Sequence, residues 1–219
     1  MVADLRNLGL SYVRVVDNGS RDNTATAARD AGAHVIAESR RGYGQACIAG
    51  VTGLDPQWEW ILFCDADGSD DLSVVPEFFE WSHTNDFILE DRRRTAEGRG
   101  AMTFAQNLGN GLATYLVGVI WGFRYHDLGP LRLIRRSSFD QLTMKDRNYG
   151  WTVEMQIRAI ELGVRIREIP VRYLPRKGGR SKISGTVKGT LMAGSKIIWT
   201  IARYMVTKSL ARSSTADAE

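Results

Sequence analysis

Four aspartates follow an apolar, strand-forming run and are the strongest candidates for chemistry in this chain. Asp65 and Asp67 stand two residues apart, and Asp70 and Asp71 come directly after them. Residues two apart on an extended chain point to the same side, so the first two carboxylates can share a hard divalent cation that keeps positions open for phosphate oxygens. The alternative is a solvated acidic turn in which one of the later two aspartates caps the next helix.

These aspartates need a sheet edge to position them, and the rest of the chain supplies one. Predicted strands and helices alternate from the N-terminus, and this βαβαβ order predicts an α/β fold with a mostly parallel sheet flanked by helices. Open sheets of this kind bind ligands at the carboxyl ends of their strands. The predicted strands are 12–16, 33–37, 60–64, 86–90, 131–134 and 164–173, and the longer predicted helices are 72–81, 102–121 and 152–162.

Composition narrows the class of protein. A chain of 219 residues with 43% hydrophobic and 25% charged residues fits one globular domain, with or without an appendage. The net charge of +4 is modest, and no pattern of alternating aromatic and basic residues occurs, which argues against a nucleic-acid partner. Cys47 and Cys64 lie in apolar surroundings without metal-ligand spacing. They are expected to be small core residues in a reducing compartment.

The N-terminus and one long uncharged window bear on the location of the protein. The first residues lack an apolar signal region and a cleavage site, which predicts a cytoplasmic protein. The window 100–123 is long enough to cross a bilayer, but it carries Gln106, Asn107 and Asn110. It is therefore predicted to be a buried or membrane-leaning helix and not a spanning one.

The segment 184–210 is predicted to be an amphipathic helix that follows the main domain, and 211–219 a disordered tail. Trp199 lies among the basic residues Lys188, Lys196 and Arg203 on the face opposite an apolar stripe. Such a helix can rest on an anionic membrane, or it can pack on the sheet with its basic residues solvated; both interpretations stay open. The stripe consists of Val187, Leu191, Gly194, Ile198, Ile201 and Met205.

Two ordered motifs give the chain a family resemblance. Residues 15–24, Val-Val-Asp-Asn-Gly-Ser-Arg-Asp-Asn-Thr, resemble the V-V-D-D-G-S-x-D-x-T element of family 2 glycosyltransferases of the GT-A fold. The stretch 65–69 resembles their metal-binding Asp-x-Asp motif. The likeness is closest to the branch that includes dolichol-phosphate mannosyltransferase and bacterial polyprenyl-phosphate glycosyltransferases. Further matching segments are 41–46, 127–132, 149–155, 168–171 and 176–182.

The resemblance implies a GT-A domain over 1–183 that lacks the usual first strand of the fold. It also implies the transfer of a sugar, with inversion, from a GDP- or UDP-linked donor to a polyprenyl phosphate. Mg²⁺ or Mn²⁺ is the implied cofactor, and the implied location is the cytoplasmic side of the membrane with peripheral contact at its inner face. Two rival functions are a glycosyltransferase with a hydroxyl acceptor and a non-catalytic remnant that binds nucleotide-sugars.

Individual roles follow from the positions that match the family, and Arg and Lys side chains suit a phosphate monoester. The implied metal ligands are Asp65 and Asp67. The implied nucleotide-sugar contacts are Asp17, Asn18, Gly19, Ser20, Arg41 and Asp65. The implied acceptor-phosphate contacts are Arg132, Arg176, Arg180 and Lys182, and the catalytic residues are Asp127 and Arg132. Asn18 stands where the family has a second acidic residue, so the resemblance does not specify which nucleobase the donor carries.

Several roles keep alternatives at this stage. Asp127 can act as a general base toward a hydroxyl acceptor, orient Arg132, or close a turn; a phosphate acceptor is already ionised and needs no strong base. The arginine run 92–94 is either a solvated loop or a contact for the donor diphosphate or the acceptor. Glu154 faces the acceptor site or lies on a helix surface. Residues 17–20 can also form a simple Asx turn.

Overall fold

The computed structural model describes residues 1–174 and 187–216. The predicted phosphate contacts Arg176, Arg180 and Lys182 lie outside the described residues. The strands are β1 (Arg14–Asp17), β2 (His34–Ala37), β3 (Trp60–Phe63), β4 (Phe87–Asp91), β5 (Arg132–Arg135) and β6 (Ile166–Pro170). The helices are α1 (Val2–Asn7), α2 (Thr24–Asp30), α3 (Tyr43–Val51), α4 (Val75–Trp81), α5 (Ala96–Ala101), α6 (Phe104–Trp121), α7 (Arg136–Leu142), α8 (Trp151–Glu161) and α9 (Val187–Ala216).

The strands form two sheets. β1 and β2 pair in parallel, and the second sheet has the order β3-β5-β4-β6. In that sheet β5 runs antiparallel to both of its neighbours, whereas β4 and β6 are parallel. The predicted α/β fold is confirmed, with β5 as the reversed strand. The expectation of one continuous parallel sheet through the first three strands is wrong, because β3 pairs with β5 and not with β1 or β2.

The unpaired edges of β1 and β3 line the same cavity. Within residues 1–174 and 187–216, no strand pairs with the second edge of either. The cavity measures about 530 Å³ and is mainly apolar, with Val15 from β1 and Leu62 from β3 in its walls. Cys47 and Cys64 also line it, and burial raises the pKa of Cys47 to about 12 and raises the pKa of Cys64 as well. The cavity therefore lies between an edge strand of one sheet and an edge strand of the other.

The helix α6 has one buried face and one exposed face. It starts with a capping box, in which Thr103 and Gln106 satisfy each other's backbone N–H groups, and it ends at Gly122 with a φ of 79°. Asn110 and Val117 are buried on its inner face. The predicted helix therefore forms, although a separate short helix, α5, precedes it. In the described part of the chain, no helix combines the length and apolarity needed to cross a membrane.

The C-terminal helix α9 packs on α6 and α8. Ile201 is 2% exposed, and the Lys208 ammonium group donates a hydrogen bond to the Ile120 carbonyl at 2.7 Å. The predicted stripe is correct at Ile201 but wrong at Leu191, which is 66% exposed, because the buried face is rotated relative to the stripe. The helix also continues to Ala216, into the segment predicted to be a disordered tail, and 217–219 lie outside the described residues.

Candidate active site

Three aspartates meet in the loop at the carboxyl end of β3. Asp70 Oδ2 accepts a hydrogen bond from the backbone N–H of Asp65 at 2.7 Å. Ser69 donates its N–H and its hydroxyl to Asp67 Oδ1, at 2.9 and 2.5 Å. Burial, followed by the negative charges of Asp65 and Asp67, raises the pKa of Asp70 to about 7. The loop therefore concentrates negative charge at the sheet edge where the sequence predicts a metal.

The chemistry of this acidic cluster, defined as Asp65, Asp67 and Asp70, fits a divalent cation. Asp70 Oδ1 is buried and has no hydrogen-bond partner among the described residues. Carboxylate oxygens are the protein ligands that Mg²⁺ and Mn²⁺ prefer. Asp71 has a different role, because it caps the turn at Leu72–Val74 through Ser73. The cap alternative therefore applies to Asp71, whereas the predicted cation ligands Asp65 and Asp67 stay a prediction that the neighbouring Asp70 fits.

The raised pKa of Asp70 predicts a pH-dependent stability of the metal-free protein. The folded protein holds this proton more tightly than the unfolded chain, so the contribution is complete below the ordinary pKa of about 3.9 and is lost as the pH rises through 7. We expect the free energy of unfolding in EDTA to fall by roughly 2 kcal/mol between about pH 5 and 8. Asp70→Asn, which stays neutral, should flatten this fall; an unchanged slope in the variant would contradict the assignment.

The loop after β1 is held against the basic loop before α3. Asn18 Oδ1 accepts the Gly42 N–H at 2.9 Å, and its amide donates to the carbonyls of Glu38 and Arg40 at 2.9 and 2.7 Å. The Arg41 guanidinium lies so close to Gly19 that an added Cβ there would meet Arg41 Nη2 at 3.0 Å. The structure thus brings three predicted donor contacts together, but the Asn18 amide is occupied by backbone groups and shapes the loop.

Asp17 and Ser20 form the Asx turn that was the simpler alternative for this motif. Asp17 Oδ1 accepts the Ser20 N–H at 2.7 Å, and this bond, together with one from the Ser20 side chain, lowers the pKa of Asp17. The following helix begins after Asn23 without a side-chain cap. The turn places the peptide of Gly19 beneath Arg41.

Asp127 is bound to Arg92. Arg92 Nε and Nη2 donate to the two carboxylate oxygens at 2.7 and 3.0 Å, and the Arg92 N–H adds a third bond at 3.0 Å. Asn110 on α6 also donates to this carboxylate. Burial disfavours the ionised form of Asp127, but the positive charge and hydrogen bonds of Arg92 have the larger effect, so the pKa of Asp127 is lowered. This arrangement argues against Asp127 as a general base, because an enclosed carboxylate held ionised by arginine is a poor proton acceptor, and the bonds of Asp127 go to Arg92 and not to Arg132.

Arg132 is also buried, with 1% of its surface exposed. Its guanidinium donates to the Gly129 carbonyl at 2.8 Å through Nε and to the Thr152 carbonyl at 3.1 Å. This burial argues against the predicted direct contact of Arg132 with an acceptor phosphate and against its predicted catalytic role. Its hydrogen bonds join the turn before β5 to the start of α8 and leave the guanidinium without access to a ligand.

Glu154 fits neither of its two predicted roles. It is 1% exposed, so it does not lie on a helix surface. Its carboxylate accepts the backbone N–H groups of Lys145 and Asp146 at 3.1 and 2.6 Å, and the Tyr204 hydroxyl at 2.5 Å. Glu154 therefore ties the loop before α8 to α9.

Sequence reasoning missed the polar triad, defined as Asp91, His126 and Glu168. His126 Nδ1 lies 2.7 Å from Glu168 Oε2 and 3.8 Å from Asp91 Oδ2. Burial raises the pKa of both carboxyl groups. Arg94 pairs with Asp91 at 3.2 Å, and Arg92 is bound to Asp127, so the arginine run is not simply a solvated loop. Its contact with the donor diphosphate or the acceptor stays a prediction. The sequence feature that could have pointed to the triad is the position of His126 directly before Asp127, the first residue of a segment that matches the family.

Sequence comparison now gives the family. Residues 6–143 match the profile described as Glycosyl transferase family 2. An uncharacterized glycosyltransferase of Mycobacterium bovis is 35% identical over 82% of this chain and 81% of its own length. The undecaprenyl-phosphate mannosyltransferase of Micrococcus luteus is 31% identical over 82% of this chain and 78% of its own length. These relatives agree with the resemblance seen in the two acidic motifs.

A solved structure supports the fold. Glucosyl-3-phosphoglycerate synthase of Mycobacterium tuberculosis, in complex with Mn²⁺, UDP-glucose and phosphoglyceric acid, superposes with a TM-score of 0.67. The superposition covers 93% of this chain and 74% of the synthase chain. The two sequences are only 16% identical, so the likeness concerns the α/β architecture predicted as GT-A. Profile, relatives and architecture agree, and the chain therefore belongs to the family 2 glycosyltransferases.

Proposed function

We propose that this glycosyltransferase transfers a sugar from a nucleotide-sugar donor to a polyprenyl phosphate at a membrane surface. The observation that carries the proposal is the acidic cluster at the carboxyl end of β3 in a chain of this family. The name of the Micrococcus luteus relative supports the acceptor class. The solved synthase with Mn²⁺ and UDP-glucose supports a nucleotide-sugar donor and a divalent cofactor.

The donor side of the reaction is assigned to the loops after β1 and β3. Asp65 and Asp67 are the proposed ligands of Mg²⁺ or Mn²⁺, and a cation bound there would neutralise the charge that grows on the departing nucleoside diphosphate. Arg41, which lies over Gly19, adds a cationic side chain beside the same loops. Asp17 and Ser20 fix the turn that presents this glycine.

The acceptor side needs little proton chemistry from the protein. A phosphate monoester is ionised at neutral pH and can attack the anomeric carbon from the face opposite the leaving group, which inverts that centre. The engagement of Asp127 with Arg92 supports this class of acceptor, since a hydroxyl acceptor would need a free base. Arg176, Arg180 and Lys182 remain the proposed phosphate contacts, in the segment that follows the domain core.

The outer face of α6 supports a lipid acceptor. No charged residue occurs between Phe104 and Trp121, and the exposed side chains recur at steps of four and three. They form a stripe about 22 Å long, in which Phe104 is 83% exposed and Val119 67%. A stripe of this kind is able to lie in the boundary of a bilayer. The stripe residues are Phe104, Leu108, Leu112, Tyr115 and Val119.

The neighbouring helix α9 adds aromatic and basic groups to the same proposal. Trp199 is half exposed, and Lys196 Nζ and Arg203 Cζ lie 4.1 and 5.6 Å from its ring centre. Tryptophan flanked by cations suits the headgroup region of an anionic membrane. Lys196 also pairs with Asp146 at 2.9 Å, so it is not simply a solvated lysine. We infer peripheral contact with the inner membrane face.

An acceptor comparison tests the proposal. We expect transfer from UDP- or GDP-linked sugars, with Mn²⁺ or Mg²⁺, to a polyprenyl phosphate but not to the matched polyprenol. The double variant Leu108→Ser, Val119→Ser should slow transfer to a long-chain acceptor in anionic vesicles by about tenfold, because it removes apolar contact with the bilayer. Transfer to a short, water-soluble acceptor phosphate should stay unchanged, and Ala105→Ser, also exposed on α6, serves as the matched control.

Three results would contradict this function. Transfer to the polyprenol, or to a glycan hydroxyl but not to the phosphate, would favour the hydroxyl-acceptor glycosyltransferase. Donor binding by calorimetry without any product would favour the non-catalytic binding protein. Equal slowing of the short and the long acceptor by the double variant would assign α6 to the fold and not to the membrane.

A further inference from the structure

We propose that the polar triad, Asp91, His126 and Glu168, is a second cation site, separate from the acidic cluster, and that it binds Zn²⁺ or Mn²⁺. One nitrogen and two carboxylate oxygens of these residues all lie within 4.8 Å of one another. This spacing lets the three atoms converge on a single ion after small side-chain movements. The site belongs to β4, to the turn before β5 and to β6, not to the loop after β3.

The backbone holds two of the three ligands in place. Asp91 ends β4, and its Oδ1 accepts the N–H groups of Arg93 and Arg94, both at 3.1 Å. Glu168 lies in β6, which pairs directly with β4, and its Oε1 accepts the His126 N–H at 2.9 Å. These bonds occupy one oxygen of each carboxylate and leave the other directed toward the imidazole.

The remaining oxygen of Asp91, Oδ2, accepts no hydrogen bond from the described residues, although the half-exposed Arg94 forms an ion pair with it. Asp91 is 0% exposed, and its Oδ2 has no hydrogen-bond partner in the described part of the chain. Its near charged groups are Arg94 Nε at 3.2 Å and His126 Nδ1 at 3.8 Å. A buried carboxylate oxygen in such a position is unfavourable unless a cation approaches it closely. Arg94 is half exposed and can leave toward solvent, which opens the position to an ion.

The ligand set selects the kind of cation. Imidazole nitrogen with two carboxylates suits Zn²⁺ or Mn²⁺, whereas Ca²⁺ and Mg²⁺ prefer oxygen ligands alone. His126 Nδ1 now faces Glu168 Oε2 at 2.7 Å, so an arriving ion takes the place of the proton between them and that proton passes to solvent. Three protein ligands leave at least one position for water. The ion would anchor His126, whose neighbour Asp127 holds Arg92.

Pulsed electron paramagnetic resonance of bound Mn²⁺ tests the site, because it detects a coordinated imidazole nitrogen. The chain has three histidines, and none lies in or beside the acidic cluster. We expect a nitrogen signal in the wild type and in Asp67→Asn. The signal should vanish in His126→Ala and persist in His83→Ala, a histidine at the exposed end of α4. Absence of a nitrogen signal at saturating Mn²⁺, or its persistence in His126→Ala, would overturn the proposal.

Zn²⁺ affinity supplies a second test that does not depend on His126→Ala folding well. Arg94→Gln removes the competing positive charge, so it should tighten Zn²⁺ binding by about tenfold in calorimetry. Glu168→Gln keeps the shape but removes a charged ligand, so it should weaken binding by a similar factor. A triad that serves only to support the fold predicts the same Zn²⁺ affinity in the wild type, Arg94→Gln and Glu168→Gln, because any Zn²⁺ bound at the acidic cluster does not respond to these changes; that result would refute the site.

Discussion

Asp67→Asn should lower the rate of sugar transfer by a factor on the order of 10³ and leave the free energy of unfolding almost unchanged. Asparagine keeps an oxygen that can accept the Ser69 N–H and hydroxyl, so the loop after β3 retains its shape. What disappears is one negative charge of the acidic cluster. Steady-state transfer with saturating donor, together with urea unfolding of the same samples, measures the two quantities.

Asp71→Asn is the matched control for this prediction. Asp71 lies in the same loop but caps the turn at Ser73 and pairs with Arg172 at 2.9 Å, outside the acidic cluster. Its replacement should reduce stability by about 1 kcal/mol or less and spare transfer. Equal losses of transfer in the two variants would mean that the loop needs its overall charge and not a specific cation ligand.

Arg92→Met should destabilise the protein by about 4 kcal/mol, the second largest effect that we expect. Arg92 is buried between two carboxyl groups, with Nε 2.7 Å from Asp127 and 3.6 Å from Glu90. Its removal leaves both without a cation in the protein interior. Asp127→Asn should cost less, because burial raises the pKa of Glu90 and this group can ionise to pair with Arg92 once the charge of Asp127 is gone.

Urea unfolding of the two variants checks this order of stabilities. The pH dependence of the transfer rate adds an independent readout, since Asp127→Asn should not shift it if Asp127 is not the base. If Asp127→Asn proved more destabilising than Arg92→Met, Glu90 would not be the compensating partner. A pH profile that lost its acidic limb in Asp127→Asn would restore the general-base role that the buried ion pair argues against.

The features predicted correctly from sequence are those set by neighbouring residues. The strand before Asp65 and the cap at Asp71 each depend on a few consecutive positions, so periodicity and side-chain chemistry were sufficient. The long helix α6 was predictable for the same reason, because its uncharged sequence and capping residues lie within one segment.

The features that were missed depend on contacts between distant residues. Arg92 and Asp127 are separated by 35 positions, and no local pattern shows that they meet. Arg132 was assigned to an acceptor phosphate because a guanidinium suits a phosphate monoester, but here its guanidinium donates to backbone carbonyls. The face that α9 buries is fixed by α6 and α8, and an amphipathic pattern alone does not specify that rotation.

The central claim is that the acidic cluster at the end of β3 holds the catalytic cation. Anomalous diffraction from crystals grown with Mn²⁺ and a nucleoside diphosphate tests it most directly. The account predicts an anomalous peak in contact with the carboxylates of Asp65 and Asp67 and with the diphosphate. Manganese found only at the polar triad, or at neither site while the diphosphate is bound, would contradict it.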